Sequence, residues 1–202
     1  MPKQTFFNLS EQKRRLIEQA ALDEFSEYGF DSSSMNRIVK QGKFAKGSFY
    51  QYFDDKKDLY FYLIDSIYKK KMQCIKPILK NYKEHSFSYN IENLLRAGLE
   101  FAKSDQRLQR IGEDFAAKHQ EYVNEFIEKY SFEAEDIYSV LLNHACERGE
   151  LRENVNIQIV SFFISSLINQ TTVHLMSRFA QSEFCDAAIQ EMRVFIEHAV
   201  LK

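Results

Sequence analysis

Glycine and proline are scarce. Six glycines and two prolines are found among 202 residues, where a typical soluble chain carries ~12% of the two together. β-Sandwiches and doubly wound sheets need those residues at tight turns, so their shortage points to long helices joined by few loops. Tryptophan is absent, but 18 phenylalanines and 11 tyrosines exclude a chain that never collapses. Cys74, Cys146 and Cys185 are odd in number and widely spaced. Without CxxC or Cys/His ligand spacing, neither a disulfide framework nor a metal site is expected. The net charge is only −2, so no global field pulls the chain toward nucleic acid or membrane. Any nucleic-acid site has to be a local patch. The first residues lack the apolar run of a signal peptide. Residues 154–177 hold no Asp, Glu, Lys or Arg, yet half of them are polar, too many for a membrane span of about 20 mostly apolar residues. A helix buried in protein is expected there, in a cytoplasmic chain. GxSxG, P-loop, GxGxxG and HExxH signatures are missing, so no enzyme and no cofactor is expected.

What is present is helical periodicity. Ser10 is placed to cap a first helix. Ile17, Ala21, Phe25 and Tyr28 form one apolar stripe on it, and Gly29 ends it. Ser32-Ser33-Ser34 caps a short second helix whose inward face is Met35, Ile38 and Val39, and Gly42 stops it. A short connection leads to a third helix carrying Phe49, Tyr50 and Phe53. Asp54 and Asp55 begin a longer fourth helix, where carboxylates suit the positive end of the helix dipole. Pro77 is expected to kink or end a helix, and 85–90 reads as a loop. Further helices are predicted at 91–103, 106–129, 132–148, 156–180 and 184–201. The fold class is all-α with about nine helices, a small domain over 1–53 and a larger helical one over 54–202.

Residues 33–53 contain Arg37, Lys40, Lys43 and Lys46 and no acid. Two short helices joined by a tight turn, with small and basic residues outward, form a helix-turn-helix. The second helix of such a pair enters the major groove while the first crosses the backbone. Gly29-Phe30, Ser33-Ser34-Met35, Ile38-Val39, Lys46-Gly47-Ser48-Phe49-Tyr50, Tyr52-Phe53, Lys56 and Leu59 run in one unbroken register. In that register the stretch resembles the DNA-binding domain of the tetracycline-repressor (TetR) family of bacterial regulators. The family's Ala-Gly-Val-Ser turn is here Gly42-Lys43-Phe44-Ala45. The turn glycine stands one residue early, and alanine replaces the capping serine.

The resemblance implies roles. Lys46, Gly47, Ser48 and Gln51 are expected to face base edges, with Gly47 allowing close approach. Tyr50 and Tyr52 are expected at phosphate or thymine methyl. Ser33, Ser34, Arg37 and Lys56 are expected to hold phosphates and set register, while Phe49 and Phe53 pack inward. The plain alternatives are solvated lysines for Lys46 and Lys56 and core aromatics for Tyr50 and Tyr52.

Family members sense a small molecule in the C-terminal domain and pair through their last two helices. Here Ala188, Met192, Phe195, Ile196 and Ala199 form one apolar stripe. Val160, Ile164, Leu167, Ile168 and Leu175 form another on the uncharged helix before it. Together they suit a four-helix dimer interface, the alternative being an ordinary core. Phe115, His119, Tyr122, Tyr138, Phe162 and Asn169 mix aromatic surface with isolated polar groups, as pockets do. The function expected is a ligand-responsive repressor, a homodimer on a pseudo-palindromic operator. The competing reading is a helical interaction scaffold that uses the basic face.

Overall fold

The computed structural model describes residues 2–118, 122, 137–178 and 182–202, the side chains of 116, 169–178 and 182–184 excepted. Ten α-helices lie among them: α1 Gln4–Phe7, α2 Glu11–Ser32, α3 Met35–Gln41, α4 Lys46–Tyr52, α5 Lys56–Asn81, α6 Phe87–Ser104, α7 Gln106–Lys118, α8 Ile137–Glu147, α9 Ile157–Arg178 and α10 Ser182–Val200. Extended pairing among the described residues is limited to one bridge between Leu151 and Leu201. The all-α class is therefore as the sparse glycine and proline implied.

Local chemistry sets the boundaries. Ser10 caps α2 by accepting the Lys13 N–H at 3.4 Å. Gly29 breaks that helix at φ 68°, a conformation that favours a residue without Cβ. At the start of α5, Asp55 accepts the Asp58 N–H at 2.8 Å and Asp58 accepts the Asp54 N–H at 3.2 Å, so two carboxylates take up backbone donors at this helix start. Pro77 does not end α5, which continues to Asn81; Pro77 is exposed, so the orphaned backbone group can meet water. The loop expected over 85–90 is shorter, because α6 begins at Phe87.

The described residues pack as two compact units, one from Met1–Lys70 with Asp105–Val123 and one from Lys71–Ser104 with Asn124–Lys202. Packing thus adds the first part of α5 and α7 to the helices of 1–53. In the first unit Ile17, Phe25, Ile38, Phe49 and Phe53 are all buried, on the apolar faces expected from the sequence, and Leu59 is buried with them. Tyr28 departs from its stripe and is exposed beneath the Arg37 guanidinium, 4.1 Å from the ring centre. In the second unit Ile91, Leu95 and Leu99 of α6 are buried, as are Leu141 and Leu142 of α8, Ile164 of α9 and Ile196 of α10. No described helix is long and apolar enough to cross a membrane.

Candidate nucleic-acid interface

α3 and α4 are joined by a turn in which Lys43, not Gly42, takes the left-handed conformation, at φ 54°. Such a φ costs a residue with Cβ about 1–2 kcal/mol. Gly42 has another reason to be glycine. A Cβ there would lie 2.7 Å from the Phe44 ring and 3.1 Å from the Ile38 carbonyl oxygen. The turn is therefore built on a close approach at 42 and an unfavourable φ at 43.

α4 presents a consistent outer face. Lys46, Gly47, Tyr50 and Gln51 are exposed and Ser48 is half-buried. A Cβ on Gly47 would meet nothing within 4 Å, so the helix surface is flat there. Phe49 and Phe53 stack in the core, with ring centres 5.4 Å apart. The two tyrosines part company: Tyr50 is 53% exposed and Tyr52 only 5%. The Tyr52 ring packs against Phe6 and Phe44. This corrects its expected groove contact, since spacing from Phe49 puts it on the inner face.

The residues expected to hold phosphates are engaged within the fold. Ser33 is buried, and its Oγ donates to the Phe30 carbonyl at 2.6 Å. Ser34 is the N-cap residue of α3, but its side chain caps nothing. Its N–H donates instead to Glu24 Oε1 at 2.6 Å. Arg37 Nε and Nη2 donate to the same carboxylate at 2.9 and 2.5 Å, and that pairing raises the Arg37 pKa. Lys56 Nζ donates to the carbonyls of Phe30, Asp31 and Ser33 at 2.6, 3.3 and 3.2 Å. Lys56 thus clips the segment before α3 with the same ammonium that is expected at a phosphate.

Sequence reasoning passed over several residues here. Glu24 is only 3% exposed yet organises the start of α3. Its signal was an acid on the inward side of an amphipathic helix, four residues after Ala20 and next to Phe25. Lys3, Thr5 and Phe6, in and just before α1, contact the end of α4. A four-residue helix has no periodicity to read.

The proposed effector and dimer residues are dispersed. Phe115 and Tyr122 lie in the first unit, both edge-on to Phe61 at 5.8 and 5.2 Å. Tyr138 is half-buried in the second unit. His119 and the Asn169 side chain lie outside the described residues. Phe162 is 65% exposed, which corrects its assignment to a pocket. Of the two apolar stripes, Ile164, Ile168, Met192 and Ile196 are buried by their own chain. Val160, Leu167, Ala188 and Ala199 are half-buried, and the Leu175 side chain lies outside the described residues. Phe195 is 65% exposed, and Ile159, Phe162 and Phe163 of α9 are exposed as well. The outward apolar face of the second unit is therefore offset from the stripes read in sequence. Among the described residues no cluster of His, Cys, Asp and Glu is arranged to hold a metal ion.

Comparison with known proteins gives the helix-turn-helix a family context. The family model "Bacterial regulatory proteins, tetR family" matches residues 17–63, leaving α1 outside the match. The HTH-type transcriptional regulator YhgD of Bacillus subtilis is 27% identical over 125 residues, which span 60% of this chain and 62% of that protein. The crystal structure of a TetR family transcriptional regulator from Chloroflexus aurantiacus superposes with TM-score 0.73 at 25% identity, covering 100% of this chain and 99% of that one. FadR from Bacillus subtilis, solved in complex with stearoyl-CoA, has the same fold, with TM-score 0.72 at 20% identity, covering 90% of this chain and 96% of that one.

Proposed function

Since the chain belongs to the tetR family of bacterial regulatory proteins, we propose that it is a transcriptional repressor that binds operator DNA as a ligand-responsive homodimer. One observation carries the reading: the outer face of α4 offers Lys46, Ser48, Tyr50 and Gln51 around a flat Gly47. A major groove admits one helix, and a surface without a side chain at its centre lets the backbone approach base edges. Arg37 and Lys56 also bond within the fold, so the exposed Lys40 and Lys43 are added to them as candidates for backbone contacts. Those residues fix register and the α4 face reads sequence.

Pairing is supported by the exposed apolar side chains of Ile159, Phe162 and Phe163 on α9 and Phe195 on α10. Large apolar side chains left exposed in this number suit an interaction site, and a two-fold operator requires a two-fold protein. Response to a small molecule is supported by the family and by the acyl-CoA bound in the FadR structure. An effector releases DNA only if it binds the non-operator state more tightly.

The test is fluorescence anisotropy with labelled DNA from upstream of the protein's own coding region. Saturable binding that falls steeply with salt is expected; about three ionic phosphate contacts per subunit give a log–log slope near −5 for the dimer. Binding without preference over random duplex, or none at all, would favour the interaction-scaffold reading.

A further inference from the structure

The helix that reads DNA is short and weakly started. α4 has seven residues, about two turns, well below the length at which a helix holds itself in water. Its N-cap is Ala45, which offers no side-chain acceptor. The last carbonyls of any helix lack intrahelical donors. Here Phe53 N–H takes the Phe49 carbonyl, and the next three carbonyls are met from 45 residues or more upstream. Lys3 Nζ donates to the Tyr50 carbonyl at 2.9 Å. Thr5 Oγ1 donates to the Gln51 carbonyl. Lys3 N–H donates to the Tyr52 carbonyl at 2.8 Å. Three consecutive acceptors are satisfied by three donors from one short arm.

Phe6 fixes that arm to the core. It is 0% exposed, with ring centres 4.9 Å from Phe53, 5.2 Å from Tyr62 and 6.3 Å from Tyr52. The Lys3 ammonium also lies 2.7 Å from Asp54 Oδ1 and holds that carboxyl below the usual carboxylate range. Asp54 and Asp55 follow α4 directly, where uncompensated carboxylates would repel phosphate oxygens. A cation at this end of α4 also matches the negative pole of the helix.

The geometry points to Lys3, Thr5 and Phe6 as a positioning element for the DNA-reading helix: Lys3 and Thr5 cap its C-terminal end, and Phe6 locks the cap to the core. The arm sharpens operator specificity without touching a base. This rests on the DNA-binding reading above.

The experiment uses the full chain and a duplex selected by it from a random library, beside a scrambled duplex of equal composition. Lys3→Met is expected to weaken binding to the selected duplex about ten-fold, the effect of one lost cap and one lost helix-end charge. Binding to the scrambled duplex changes less than about two-fold, because no phosphate contact is removed. Lys3→Arg keeps the donors and restores most of the loss. In the free protein, amide hydrogen exchange over 49–53 accelerates in Lys3→Met and in Thr5→Val, while exchange in α6 and α10 is unchanged. Equal weakening on both duplexes with unchanged exchange would make Lys3 a phosphate contact and overturn the proposal. So would no change in either measurement. If the unaltered chain selects no duplex, the DNA-binding reading fails, and exchange over 49–53 still decides whether the arm orders α4.

Discussion

The Asp114 carboxylate accepts the Phe30 N–H at 3.0 Å and crowds the position where a side chain on Gly29 would begin. A Cβ on Gly29 would lie 3.0 Å from Asp114 Oδ1. The same carboxylate pairs with Lys118 at 2.7 Å and accepts the Tyr60 hydroxyl at 3.4 Å. One acid on α7 thus closes the end of α2 that a left-handed glycine opens.

Gly29→Ala meets both obstacles, the φ of 68° and the carboxylate. The φ alone costs about 1–2 kcal/mol, which for a chain of this size is a fall in Tm of roughly 2–8 °C. Calorimetry on the variant measures it. Asp114→Asn keeps one acceptor oxygen and lowers Tm less. A Gly29→Ala variant as stable as the parent would show that the segment relaxes freely.

Lys56→Met separates a structural lysine from a phosphate anchor. Its three carbonyl partners, on Phe30, Asp31 and Ser33, lose their donor, and the Phe30 ring loses the cation 4.6 Å from its centre. Tm is expected to fall, and exchange of the 33–36 amides to quicken. The salt dependence of DNA binding should keep its slope, because no counterion-releasing contact is lost. A slope that flattens by about one unit per subunit would return Lys56 to the phosphates.

These residues show what the sequence makes legible. Ser10, Gly29 and the Asp54-Asp55 pair act on the chain within four residues, so their boundaries can be read directly. Phe49 and Phe53 were separable from Tyr50 by helical spacing. Tyr52 was equally separable, three residues from Phe49 on the same face, but the family pattern favoured an outward role. Lys3 and Thr5 act across 47 and 46 residues, beyond any local pattern. On α9, whose residues 157–177 carry no Asp, Glu, Lys or Arg, Ile164 and Ile168 are inward and Ile159, Phe162 and Phe163 outward. A helix apolar on both faces carries no sign of which face its own chain will cover.

Acid should loosen the second unit through Glu92. Arg96 donates to it at 2.9 and 3.0 Å, Gln190 at 3.2 Å, and Arg193 lies 3.5 Å away. The Arg96 hydrogen bonds hold the Glu92 carboxyl below its usual range. The folded state therefore binds this proton less readily than the unfolded one. The resulting stability is fully present above the ordinary glutamate pKa of about 4.3 and is lost as pH falls through the lowered value. Glu92→Gln should reduce Tm at neutral pH and flatten its decline below that point. An unchanged acid limb in the variant would move the effect to other carboxylates.

Pairing is tested by comparing an outward with an inward aromatic or aliphatic residue. Phe162→Glu and Phe195→Glu place charge on the exposed face and should yield folded monomers in sedimentation velocity. Operator binding then drops with the dimer, since joined half-sites gain effective concentration that single ones lack. Ile196→Glu instead buries a charge inside one chain and should unfold the second unit. Dimers that persist in both exposed-face variants would place the interface elsewhere.

Sequence reading by α4 is tested at Gln51 and Gly47, both exposed on the outer face. The Gln51 amide can bond an adenine edge in two places, a pairing worth about 1–3 kcal/mol of discrimination. Gln51→Ala should weaken cognate binding by that amount and relax preference at one position in each half-site, with non-specific affinity nearly unchanged. Gly47→Leu should do more. The open space around Gly47 means that leucine fits the free protein without strain, so stability should hold or rise, since leucine favours helix over glycine. Its side chain would nevertheless keep the whole helix from the groove, and binding to every sequence should fall. Selection from a random duplex library, run on both variants beside the parent and paired with melting curves, reads these effects separately. If Gln51→Ala selects the parent consensus at the same stringency, Gln51 does not read a base. Specificity would then rest on Lys46, Ser48 and Tyr50, the remaining side chains on that face.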